Sequence, residues 1–259
     1  MRSKRVSGSR EHCSLIKGGR LAERFALRPV LCLAISDVPG DDPRIIGSGL
    51  LTADPELVLP ADLSGFPEFV RDALRHSPPA PRAGDASFQN VRVEVIAGLG
   101  AAKRAAAEAA RELGYGVRLH PEFIAGDALE AGERLARTLL AAPAGEMQIW
   151  GGETSLKLPS LVGRGGRNQS LALSAAQVLS ARAHVWFLSI GTDGNDGPTL
   201  DAGALVDGGT IARGEMDGLN ASQSLAAADA GTFLEASGDL VQTGPTGTNV
   251  MDLMLGLRA

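Results

Sequence analysis

Cysteine is scarce in this chain of 259 residues: only Cys13 and Cys32 occur, far apart and without a CxxC spacing. That excludes a disulfide framework and a thiolate metal site, and both read as reduced structural thiols. The four histidines, His12, His76, His120 and His184, are scattered without the spacing of zinc ligands. No Gly-x-Ser-x-Gly turn occurs, so a serine hydrolase would lack its nucleophile elbow. Aromatic residues make up 4% of the chain, and no apolar run approaches the roughly 20 residues of a membrane span. Excess positive charge is missing as well. The formal charge of −5 argues against nucleic acid or an anionic membrane as the main partner.

What the chain does have is 33 glycines and 44% hydrophobic residues, enough to bury a core in one large or two modest loop-rich domains. Its charge is uneven, about +6 over residues 1–28 and −11 over the rest. The Arg- and Ser-rich opening has no apolar stretch behind it, so it does not read as a leader peptide, and a cytoplasmic protein is expected. Hydrophobic periodicity predicts helices over 15–27, 66–76, 101–113, 128–141, 168–182 and 221–228, with strands over 30–35, 91–96, 117–119, 147–150, 185–191 and 202–206. Gly114 is the natural C-cap of one helix, and Pro143 stops another. Pro143, followed by Ala144-Gly145, sets the expected boundary between a domain of 1–143 and one of 144–259. The fold class is α/β, in two Rossmann-like or mixed α/β domains.

Chemistry concentrates in four loops. Gly163-Arg-Gly-Gly-Arg-Asn-Gln169 opens an apolar helix with glycines and two guanidiniums. Glycines allow close backbone approach, a helix N-terminus is partly positive, and arginine chelates anions with two donors. Gly151-Gly-Glu-Thr154 follows the strand ending at Trp150, and Thr192-Asp-Gly-Asn-Asp-Gly-Pro-Thr199 follows the strand ending at Gly191. Ser36-Asp-Val-Pro-Gly-Asp-Asp-Pro43 follows a third strand. Loops at the carboxyl ends of strands are where open α/β sheets bind ligands, so the four together describe an anion-and-metal pocket. The bland alternative is that Asp-Gly and Pro-Gly are turn chemistry alone. A calcium loop at Asp193 is excluded, because Pro198 replaces the needed glycine and Ala204 the needed glutamate.

These loops, in order and joined by Gly244-Pro-Thr-Gly-Thr-Asn-Val250, resemble the glycerate 2-kinase family, whose C-terminal half is called the MOFRL domain. The similarity runs from about Ile16-Lys-Gly-Gly-Arg20 to the C-terminus. It implies ATP- and Mg²⁺-dependent phosphorylation of D-glycerate to 2-phosphoglycerate, at a site between two α/β domains. Some members carry the older label hydroxypyruvate reductase. On this resemblance Asp37 is expected as the catalytic carboxylate, orienting the glycerate hydroxyl or holding Mg²⁺, and Arg167 as the group that stabilises the transferring phosphoryl. Arg164, Gly165, Gly166, Asn168, Gly152, Thr154, Thr246, Gly247, Thr248 and Asn249 are expected to hold substrate or phosphate. Which arginine takes the phosphate and which the substrate carboxylate stays open. Glu153, Asp193 and Asp196 are expected to face the metal.

The chain departs from the family pattern at Gly49-Leu50, where Gly-Pro is usual, and at Gly98-Leu-Gly100, where an asparagine is usual. It also starts where family members are already well into their first domain. That leads to the expectation of an incomplete first domain, an impaired kinase, and an exposed sheet edge favouring self-association as a homodimer. Two alternatives stand beside the kinase. Gly98-Leu-Gly100-Ala-Ala-Lys103 follows a strand and opens a helix, with Glu122 about 20 residues on, as in an NAD(P)-dependent reductase, although Lys103 replaces the third glycine. The other is a non-catalytic remnant of the family.

Overall fold

The computed structural model describes residues 11–55, 57 and 62–259. The basic opening Met1-Arg-Ser-Lys-Arg-Val-Ser-Gly-Ser-Arg10 lies outside the described residues. The chain forms two compact units, Met1–Ile96 and Ala97–Ala259.

In the first unit, β1 (Val30–Ile35) pairs with β2 (Val91–Ala97). The helix expected over 15–27 is cut to α1 (Arg20–Arg24). Gly18 and Gly19 precede it at φ +60° and +83°, and Ala26 and Leu27 also take positive φ, so neither end can continue the helix. Arg20 is buried and fastens this corner, donating to the carbonyls of Glu11, Lys17 and Pro78. The short helix α2 (Glu68–Arg75) falls where its periodicity placed it. Along β1 the alternation leaves Leu31, Leu33 and Ile35 exposed, and Ile96 of β2 is exposed as well.

The second unit is a six-stranded sheet with helices on both faces. Its elements are α3 (Leu99–Glu112), β3 (Gly116–Ile124), α4 (Ala128–Ala141), β4 (Glu146–Gly152), α5 (Arg167–Leu179), β5 (Val185–Gly191), β6 (Gly203–Asp207), α6 (Thr210–Met216), α7 (Ala221–Ala226), α8 (Ala230–Ser237), β7 (Leu240–Val241) and β8 (Asp252–Arg258). Strand order is β3-β4-β8-β5-β6-β7, with β3 parallel to β4 and the pairs from β4 to β7 antiparallel. The sheet is therefore mixed. Trp150, on one face, joins the core formed with α4, α5 and α8, while Gly151, on the other, meets Leu99 of α3. Helices α4 and α5 pack closely because Gly132 has no side chain; a Cβ there would overlap the Leu171 carbonyl.

The boundary expected after Pro143 needs correction as a structural division. Pro143 does end α4, yet β3 forms the parallel partner of β4 and α4 lies against α5, so residues 97–143 belong to the same compact unit as 144–259. Helices α6 and α8 were not anticipated; each is short and lies within glycine- and alanine-rich sequence whose period is weak.

Candidate active site

Strand β8 gathers the second unit's loops. Its first residue, Asp252, registers with Gly152, the last of β4, on one side and with Gly191, the last of β5, on the other. Because β4 and β5 both run antiparallel to β8, their carboxyl ends point the same way and flank its start. The Gly151-Thr154 and Thr192-Thr199 loops thus emerge together, as ligand loops at strand ends do. A cleft of about 380 Å³ opens beside them, lined by Leu156, Leu158, Val162, Gly165, Gly166, Arg167, Asp193, Asn195, Asp196, Gly197 and Pro198.

Arg167, the first residue of α5, carries the cleft's positive charge. Its Nε and Nη2 donate to Asp252 Oδ2 and Oδ1 at 2.7 and 3.0 Å, a bidentate pair, and Nη1 donates to Glu153 Oε1 at 2.9 Å. Burial works against the guanidinium charge, but Asp252, Glu153 and Asp196 outweigh it and hold the pKa above its ordinary value. Asp252 is fully buried, and burial raises its own pKa against the lowering effect of Arg167. Sequence reading missed Asp252. Its only local signal is an acidic residue opening an apolar strand after Asn249-Val-Met251.

The helix N-terminus expected to bind a ligand anion holds one of the chain's own. Asp196 Oδ1 accepts from the Asn168 backbone N–H at 3.0 Å and Oδ2 from that of Gln169 at 2.8 Å. Asp196 is therefore the cap of α5, with both oxygens engaged, rather than an open metal ligand. Burial, its largest influence, pushes its pKa up to about 6 although these N–H groups pull it down. Gly166 is glycine because a Cβ would overlap this carboxylate, and Gly163 because one would overlap Asp229. The glycines admit carboxylates of the protein itself. Asn168 is likewise turned inward, its Nδ2 toward Asp196 and its Oδ1 accepting from Ser189 Oγ at 2.7 Å.

Arg164 does not line the cleft. Its Nη2 donates to the buried Asp201 at 3.0 Å and Nη1 to Glu235 of α8 at 2.5 Å, while its backbone N–H donates to Asp229 at 2.7 Å. The hydrogen bond with Glu235, aided by that with Asp201, raises its pKa. It clamps the loop to α8. Gly152 and Thr154 are both buried, and a Cβ at Gly152 would overlap the backbone of Ile124.

Asp193 keeps coordinating capacity. It lines the cleft, is only partly buried, and among the described residues engages only Oδ1, which accepts from the Asn195 N–H at 3.0 Å. The loop bearing Thr246, Gly247, Thr248 and Asn249 is tied to this turn: Thr246 donates its N–H to the Asp193 carbonyl and its hydroxyl to that of Thr192. Glu153, Asp193 and Asp196 do not form one ligand set; among the described residues no three His, Cys, Asp or Glu side chains are placed to hold a metal. Asp37, in the first unit, is exposed just past β1, next to the buried Ser36.

The degenerate glycine turn at 98–100 is filled rather than open. Leu99 is buried against Gly151, and Lys103 is buried with its ammonium donating to the His120 carbonyl. Burial lowers the Lys103 pKa, opposed by Glu122. Among the described residues no helix is long and apolar enough to cross a membrane.

Comparison with known proteins matches these features. Residues 146–252 match the family described as MOFRL family, and residues 7–61 a domain of unknown function, DUF4147. A D-glycerate 2-kinase of Thermotoga maritima is 36% identical over 97% of this chain and 62% of its own length. A putative hydroxypyruvate reductase of Agrobacterium vitis is 35% identical over 96% of this chain and 67% of its own. The crystal structure of glycerate kinase from Thermotoga maritima superimposes with a TM-score of 0.83 at 34% identity, covering 99% of this chain and 63% of that one. The chain thus spans less than two thirds of the length of several relatives. With the five motifs in order, the matched segments and relatives above 30% identity, the chain belongs to the glycerate kinase family, some of whose members are labelled hydroxypyruvate reductases.

Proposed function

We propose that the second unit carries the phosphate-handling part of a D-glycerate 2-kinase, transferring the terminal phosphoryl of ATP to the 2-hydroxyl of D-glycerate. The observation that carries this is Arg167, set at the cleft by a buried carboxylate where the ends of β4 and β5 meet the start of β8. Phosphoryl transfer needs positioning and neutralisation of charge more than a protein nucleophile, and a guanidinium held in a fixed plane supplies both. Arg167 would bind and orient the transferring group. Asp193, which lines the cleft with one carboxylate oxygen unengaged among the described residues, fits a hard cation shared with phosphate oxygens. Mg²⁺, when bound, neutralises charge on the nucleotide phosphates. Asp37 is assigned as catalytic carboxylate on the family resemblance.

Glycerate-dependent ADP release, with and without Mg²⁺, tests the reading on the chain as given. Arg167→Ala is expected to lower the rate ~100- to 1000-fold, and Asp37→Asn to lower it as well. Unchanged rates in both variants would remove the assignment. Protection against thermal unfolding separates the reductase reading, since a ligand that binds only the folded state stabilises it. ATP with Mg²⁺ is expected to protect and NADH or NADPH to do little, given the filled turn at Leu99. Clear protection by a nicotinamide dinucleotide, abolished by Gly98→Val, would favour the reductase.

A further inference from the structure

Arg167 has two carboxylate partners held in different ways. Asp252 is 1% exposed, sits inside the sheet and takes two guanidinium nitrogens; the Glu153 side chain is 45% exposed, follows the end of β4 and takes Nη1 alone. One positive charge faces two negative ones, with the Asp196 carboxylate also close enough to act on it. An incoming polyphosphate therefore meets a site whose net charge is already negative. Three of the five guanidinium N–H groups are taken, so a phosphate can reach the second N–H of Nη1 and of Nη2, but it faces an uncompensated Arg167 charge only by replacing a carboxylate. An exposed ion pair is weak and easily exchanged, whereas breaking a buried bidentate pair strands a charge in the protein interior.

We propose that Glu153 is a resident competitor, occupying Nη1 until a phosphate group displaces it, and that Asp252 is the positioning residue that keeps the guanidinium plane turned so that Nη1 faces the cleft. The inference rests on the phosphate-site reading above and assigns Glu153 to the arginine instead of the metal. It makes opposite predictions for the two acids. Removing the charge of Glu153 strengthens anion binding, and removing that of Asp252 weakens it.

Calorimetric titration of the full chain with inorganic tripolyphosphate, without metal, reads this apart from turnover. Glu153→Gln is expected to bind about 2- to 5-fold more tightly than wild type, the range of an exposed ion pair. Asp252→Asn is expected to bind at least ~10-fold more weakly, as for a buried charge pair that loses one partner. Two further variants separate positioning from loss of packing. Asp252→Glu, which keeps the charge, should recover part of the affinity, and the double variant Glu153→Gln/Asp252→Asn should bind more tightly than Asp252→Asn alone. Unchanged or weaker binding by Glu153→Gln would overturn the competitor role, and that variant lies at the surface where folding is not at issue. Wild-type affinity in Asp252→Asn would overturn the positioning role. If wild type and Arg167→Ala bind tripolyphosphate equally, or neither binds, the phosphate-site reading itself fails, an outcome distinct from either of the others.

Discussion

At the scale of single residues, the two arginines of the glycine loop separate by what holds them. Arg164 joins Asp201 to Glu235, away from the cleft, so Arg164→Ala is expected to cost ~1–3 kcal/mol of stability by leaving a buried carboxylate short of a partner. Tripolyphosphate affinity should stay within about twofold of wild type, far less than one buried charge pair is worth. Urea unfolding and titration of this variant beside Arg167→Ala check the division; a large affinity loss in Arg164→Ala would reverse it. Asp196 makes a pH prediction. Its pKa is about 6 in the folded protein against an ordinary 3.8, so the folded state holds the proton more tightly. This contribution to stability is present below the lower value and is lost as pH rises through the higher one, on the order of 3 kcal/mol. The urea midpoint of wild type relative to Asp196→Asn should therefore fall between about pH 4 and pH 7. Parallel pH profiles for the two proteins would contradict it.

At the scale of elements, α4 against α5 is the tightest seam in the second unit. Gly132 sits mid-helix, where glycine costs ~0.5–1 kcal/mol relative to alanine. Gly132→Ala recovers that propensity but drives a methyl into the Leu171 carbonyl and the Ser174 side chain. Overpacking typically costs ~1–3 kcal/mol, so the variant is expected to be net destabilised despite its better helix former. Chemical denaturation measures the sign directly, and a raised midpoint would mean that the helices separate more easily than their packing implies. The glycine loop at 163–166 follows the same logic. Gly163 and Gly166 are small because Asp229 and Asp196 lie against them, so substitution at Gly166 first disturbs the cap of α5 and the seat of Arg167.

At the scale of the whole molecule, the compact unit that contains the cleft begins at Ala97, not after Pro143. A fragment of 144–259 would lose the parallel partner of β4 and the helix that covers α5, leaving a strand edge unpaired and Leu171 and Trp150 uncovered. A fragment of 97–259 keeps both. The longer fragment is expected to unfold cooperatively and the shorter to bind hydrophobic dye or precipitate. Cooperative unfolding of 144–259 would show that β3 and α4 are dispensable.

Much of this was legible in the chain itself. Strands β1, β2, β4 and β5 and helices α4 and α5 follow from apolar periodicity, and the loops that carry Glu153, Arg167 and Asp193 follow from strand ends and glycine placement. Those are local properties, fixed by neighbours a few residues apart. The partners of the charges are not local. Arg167 meets Asp252 across 85 residues and Asp196 meets Asn168 across 28, and the first of these contacts exists only because β8 inserts between β4 and β5. Sequence determined that carboxylates and guanidiniums would share one end of a sheet. Which of them neutralise each other and which are left to face the cleft depends on long-range packing, because burial makes an unpaired charge costly and the fold alone sets which charges are buried together.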